Sequence, residues 1–157
     1  MTTTTAPQVT LTRTFDASRA QVWKAFTDPD QFIAWWGPFG NKLPREDVDF
    51  DIRSGGHMSW SEHFPDDPNV RTNGRVELSE VVDTEVLDGL MSIQGQLPQD
   101  YKAFETRMRV EFYDEPDGKT RVEVRQWLRE DYAEPTINGW GEAFSKLDAT
   151  LSALPRA

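Results

Sequence analysis

At 157 residues and 18.0 kDa, the chain has the length of one domain and is too short for two full ones. Its 17 Lys and Arg stand against 27 Asp and Glu, and the net charge of -10 repels phosphate backbones and anionic lipid, which argues against nucleic acid or a membrane surface as partner. There is no cysteine, so disulfides, thiolate metal sites and thiol nucleophiles are excluded together.

The Thr-rich residues 1–8 read as a flexible polar tail, with neither the positive charge nor the apolar stretch of a signal peptide, and a soluble cytoplasmic protein is the expectation. Residues 9–15 alternate apolar side chains with Thr or Arg, which predicts a half-buried strand with Val9, Leu11, Arg13 and Phe15 on one face. Ser18 and Gln21 form a capping box, and Val22, Ala25 and Phe26 carry a short helix to Thr27. Asp28 before Pro29 repeats the start signal and opens a second short helix with Phe32, Ile33, Trp35 and Trp36, stopped by Gly37 and Pro38.

The period returns to two at Val48, Phe50 and Ile52. Gly55 and Gly56 mark a turn, and Met58, Trp60 and Phe64 continue the alternation as the second arm of a hairpin. Residues 65–69 read as a loop, and further strands follow at 71–82, 85–93, 105–113 and 120–128, with Pro116, Asp117 and Gly118 marking a turn before the last. Over residues 135–154, Ile137, Trp140, Phe144, Leu147, Leu151 and Leu154 recur every three or four positions, as in one long helix with a single apolar stripe. No repeat or linker interrupts residues 9–154, so a single α+β domain with seven strands is expected.

This order, with Thr12-Arg13-Thr14-Phe15, Val22-Trp23-Lys24-Ala25-Phe26, Trp35-Trp36-Gly37-Pro38, Asp51-Ile52-Arg53-Ser54-Gly55-Gly56, Gly74-Arg75-Val76, Thr120-Arg121-Val122 and Gly139-Trp140, resembles the bacterial homologues of the Hsp90 ATPase activator, in the START-like or SRPBCC group. The resemblance implies a helix-grip fold. In it a curved seven-stranded antiparallel sheet wraps a long C-terminal helix, two short helices separate strands 1 and 2, and a cavity lies between sheet and helix. It also implies a chaperone as an alternative partner and a part in stress response. It implies no single activity, since the fold hosts lipid carriers, hydrolases, cyclases and co-chaperone domains. Ser18 departs from the usual Pro at its position, and the stretch 90–101 at one mouth of the cavity is more polar than the family pattern.

His57 and His63 lie at the two ends of one strand, too far apart to share a metal ion, and their alternation with Met58 and Trp60 puts them on the solvent face. Asp47, Asp49 and Asp51 fall together on the outer face opposite Val48, Phe50 and Ile52. No nucleophile elbow, phosphate loop or EF-hand pattern occurs, so no catalytic residues and no metal are expected. The informative set is aromatic: Phe32, Trp35, Trp36, Trp60, Phe112, Trp140 and Phe144. Wide rings on helices and a curved sheet close-pack poorly and leave voids that take ligands. Arg13 and Glu62 fall on inward faces, where a charge needs a partner, and Gln126 is a third polar anchor, while Trp127 falls on the opposite face.

Gly139 and Gly141 flank Trp140, and two glycines cost a helix about 2 kcal/mol. Either the helix begins after Gly141, or small residues let its backbone approach the sheet or a ligand while Trp140 points into the cavity beside Trp36 and Trp60. The leading expectation is a monomeric or weakly dimeric protein holding an apolar or aromatic ligand between sheet and helix, with no cofactor. The alternatives are a chaperone-associated interaction module and a cofactor-independent hydrolase or cyclase.

Overall fold

The computed structural model describes residues 7–37, 39–65, 67–96 and 103–153. Seven strands, β1 (Val9–Phe15), β2 (Asp49–Asp51), β3 (His57–His63), β4 (Arg71–Val82), β5 (Val86–Gln96), β6 (Phe104–Glu115) and β7 (Lys119–Trp127), form one antiparallel sheet in the order β1-β7-β6-β5-β4-β3-β2. Strands β2 to β7 make an uninterrupted meander, and β1 adds beside β7, pairing Val9 with Gln126 and Phe15 with Thr120. First and last strands thus become neighbours, which leaves α1 and α2 to cover the sheet on the way from β1 to β2. The sheet is open and curved, and the β4–β5 register shifts between Leu78 and Glu80, an irregularity of the kind that bends a strand.

Helix α1 (Arg19–Thr27) starts as the capping box requires, with the Ser18 hydroxyl accepting from the Gln21 backbone N–H. Helix α2 (Pro29–Phe32) is a single turn capped by Asp28, so Trp35 and Trp36 sit in the turn that follows rather than on the helix. Trp35 is nonetheless fully buried, and its Nε1 donates to the Ala25 carbonyl at 2.9 Å, which ties the two short helices together. The connection then passes Gly37, whose φ of +84° is open to glycine at little cost.

Helix α3 (Ala133–Ser152) begins two residues earlier than the periodicity places it. Pro135 falls in its first turn, where a missing N–H costs nothing. Both glycines are therefore interior to the helix, and the reading that it starts after Gly141 does not hold. Trp140, Phe144, Leu147 and Leu151 form its buried stripe, whereas Ile137 is 42% exposed; Leu154 lies outside the described residues. Edge-to-face contact of Phe15 with Phe144 at 5.2 Å locks α3 to β1. Arg13, on the same face of β1, reaches Asp148 of α3 in an ion pair.

The outer face of the sheet is ionic. Arg107 and Arg109 of β6 hold the buried carboxylate of Asp88 on β5, and Arg109, Glu111, Arg125, Glu123, Arg121 and Glu115 continue as a chain of ion pairs across β6 and β7. Arg107 also stacks over Trp127 at 4.5 Å, which places that Trp outside. Asp47, Asp49 and Asp51 are each matched, by Arg71, His57 and Arg53, so the acidic strand is paired rather than self-repelling. His57 and His63 lie on that outer side but are half-buried.

Candidate functional site

A cleft of about 170 Å³ opens between α3 and the concave face of the sheet. Its walls are apolar: Trp36 from the turn after α2, Met91 and Ile93 from β5, Phe104 from β6, and Trp140 and Ala143 from α3. Met91, Trp140 and Ala143 are buried and form the floor; Trp36, Ile93 and Phe104 are half-buried toward the mouth. Into these walls the fold inserts the side chains of Glu62 from β3, Gln126 from β7 and Thr136 from α3.

Glu62 follows Met58 and Trp60 on the inward face of β3, and it is buried at 8% exposure. Burial pushes its carboxyl above the ordinary glutamate range, partly offset by a hydrogen bond from the Asn41 amide and by the charge of Lys146. Gly37 packs directly on this carboxylate, and a Cβ there would fall 2.6 Å from Oε2. Lys146, one turn below Glu142 on α3, donates to the Trp36 carbonyl at 3.3 Å, and Glu142 accepts from the Phe39 backbone N–H at 2.9 Å. Burial lowers the Lys146 ammonium pKa, while Glu62 and Glu142 oppose that shift. Two helix side chains and one strand carboxylate therefore clamp the connection from Trp36 to Asn41 over one end of the cleft.

Gln126 is 1% exposed, and its Oε1 accepts from Trp140 Nε1 at 2.6 Å. An indole N–H only donates, so this bond fixes which end of the amide is oxygen. Trp36 stands at the centre of the aromatic group: stacked on Phe32 at 4.8 Å, and edge-on to Trp35, Trp60 and Trp140 at 5.6, 5.1 and 5.2 Å.

Of the residues singled out in the sequence, Trp36, Glu62, Gln126 and Trp140 meet at the cleft. Phe32, Trp35, Trp60 and Phe144 pack behind Trp36 and Trp140 without lining it. Phe112 is deeper still, against Trp23 and Phe26 at 5.2 and 5.1 Å. Behind Trp36 and Trp60 there remains only a void of about 10 Å³, no larger than a water molecule needs. Arg13 is taken up by Asp148 and does not reach the cleft.

Met91 and Ile93 escaped the sequence reading although they alternate with Leu87 and Gly89, a period-two signal for the inward face. Phe104 sits just before the predicted start of its strand. Asn41 and Lys146 gave no periodic signal, one lying in a loop and the other between stripe positions of α3. The polar stretch at the mouth is described only to residue 96, and 97–102 lie outside the described residues. Among the described residues no group of three or more His, Asp or Glu side chains is arranged to hold a metal ion, and no helix is long and apolar enough to cross a membrane.

The helix glycines differ in their surroundings from a close-packed pair. A Cβ at either position meets nothing within 4 Å, so neither glycine is there to let the backbone approach the sheet. Gly141 is exposed, and nothing in the structure requires glycine at that position. Gly139 lines the cleft, and the missing side chain leaves room in it.

Comparison with solved structures finds the same architecture several times. Protein Ms6760 from Mycobacterium smegmatis is 24% identical, with a TM-score of 0.75 over 92% of this chain and 90% of that one. Protein CV1439 from Chromobacterium violaceum is 19% identical, with a TM-score of 0.77 over 93% and 98%. The AHSA1 protein from Silicibacter pomeroyi is 18% identical, with a TM-score of 0.73 over 92% and 96%. No curated protein matches the chain. The profile of one family, described as Activator of Hsp90 ATPase homolog 1-like protein, matches residues 16–152, from the end of β1 to the end of α3, and the chain belongs to that family.

Proposed function

We propose that the protein binds a small apolar or aromatic molecule in the cleft between α3 and the sheet, using neither a metal nor an organic cofactor, as a cytoplasmic monomer or weak dimer. One observation carries this reading: an aromatic-walled cleft of about 170 Å³ lies where the core would otherwise close, with a helix glycine leaving part of it open. Such a volume is close to the roughly 150 Å³ at which an apolar cavity accepts a single benzene ring. Filling it returns the dispersion and burial that the open walls forgo.

The experiment pairs native mass spectrometry of freshly purified protein with a tryptophan emission titration. Trp36 and Trp140 face the cleft, so an aromatic probe quenches or shifts their emission. Trp140→Ala costs about 3 to 5 kcal/mol of stability as a large core truncation and, in the protein that remains folded, weakens the probe further than Trp36 alone compensates. Unchanged affinity in folded Trp140→Ala removes that ring from the site. A chaperone partner is the second reading, favoured by the family's description. It predicts a concentration-dependent complex with Hsp90 that a cleft-filling substitution leaves intact.

A further inference from the structure

We infer that the cleft selects an uncharged single aromatic ring that carries a hydrogen-bond donor such as a hydroxyl at the Glu62 end and an acceptor such as a carbonyl at the Gln126 end. This rests on the binding function proposed above and names the ligand class that function serves.

The Gln126 end follows from the orientation of one amide. Trp140 Nε1 occupies the oxygen, so the NH2 group is the part of this cleft-lining amide left to meet a ligand. A ligand that fills the cleft screens this donor from water, and an acceptor on the ligand keeps it paired there. The amide cannot flip instead, because flipping would face NH2 against the indole N–H, donor against donor.

The Glu62 end follows from how its carboxyl is held. Asn41 donates to Oε2, the Trp60 indole N–H also holds the carboxyl, and Gly37 closes the space beside it, yet this cleft-lining carboxyl keeps accepting capacity beyond those contacts. A ligand hydroxyl or N–H is the group that satisfies it. A ligand cation is disfavoured there, since Lys146 already faces the carboxylate from α3, and a ligand anion would meet a carboxylate within apolar walls. The ligand therefore enters neutral. Its ring lies among Trp36, Trp140, Met91 and Phe104, and the volume leaves space for one ring and short substituents.

Four probes of nearly one shape test this on the parent protein, so no variant has to fold: 4-hydroxyacetophenone with both groups, 4-ethylphenol and acetophenone with one each, and ethylbenzene with none. Calorimetric and fluorescence titration should rank them in that order, with each polar group worth about fivefold to tenfold in affinity. Ethylbenzene binding as tightly as 4-hydroxyacetophenone overturns the two-ended recognition while leaving an apolar binding cleft in place. Failure of all four to bind or to perturb the tryptophans overturns both readings. Gln126→Glu, which keeps an oxygen toward Trp140 and removes the NH2, should reduce acetophenone binding severalfold more than it reduces ethylbenzene binding; an equal loss for both probes contradicts the assignment of the acceptor end.

Discussion

Glu62 is the residue at which folding and the proposed binding pull in opposite directions. Burial raises its carboxyl above the ordinary range by more than Asn41 and Lys146 lower it. The folded protein therefore holds this proton more tightly than the unfolded chain. Its contribution to stability is complete below the unfolded pKa and is lost as pH rises through the folded one. Glu62→Gln cannot ionise and keeps the shape, so it should be more stable than the parent at neutral pH, with the difference closing as the pH falls to about 4. Thermal melts of the two proteins across that range provide the check; a difference that widens toward low pH contradicts the assignment. On the outer face Asp88 shows the opposite balance. Burial would raise its carboxyl, but hydrogen bonds from Arg107 and Arg109 outweigh it and hold it below the usual range. Asp88→Asn should cost about 1 to 3 kcal/mol in a denaturant titration, since it leaves charge-assisted bonds unmade, and a neutral result would show that Glu80 and Glu111 suffice for Arg109 and the Trp127 ring for Arg107.

At the scale of elements, α3 divides into two functions along its length. Its C-terminal half is anchor: Leu147 is 0% and Leu151 5% exposed, and truncating either to Ala should cost about 2 to 4 kcal/mol by chemical denaturation, the usual loss for a buried leucine. Either variant unfolding at the parent's midpoint would mean that the helix does not seal the sheet at that end. Its N-terminal half carries Thr136, Gly139, Trp140 and Ala143, all on the cleft. The stripe from Trp140 to Leu151 was plain in the sequence because helical period and burial coincide there. It misled at Ile137, since a periodic pattern shows which face of a helix a residue occupies but not how much of that face is covered. The strands were legible for the same reason: alternation over residues 71–82 matches the alternating burial of β4 residue by residue up to Leu78, where the register shifts. Helix α2 was overread, because the aromatic residues after it keep helical spacing while the chain leaves the helix after one turn.

Across the whole molecule, the meander with β1 laid beside β7 makes one concave face and gives α3 a single place to lie. That much follows from local periods and turns. The site does not, because it depends on which end of the concave face a residue occupies. Arg13, Glu62 and Gln126 share the same inward signature in sequence, yet Arg13 sits where Asp148 of α3 reaches it, while Glu62 and Gln126 face the gap that α3 leaves. Phe112 and Trp140 are equally aromatic and equally buried, and only the strand order separates the ring in the core from the ring on the cleft. The central claim is that this gap is a binding site rather than a packing fault, and Gly139 offers the most direct test. A side chain there meets open space, and leucine is favoured over glycine in a helix interior by about 0.8 to 1 kcal/mol. Gly139→Leu should therefore fold with stability equal to or above the parent's while its affinity for 4-hydroxyacetophenone, measured by tryptophan emission, falls at least tenfold. A stable Gly139→Leu protein that binds the probe as the parent does would contradict the account.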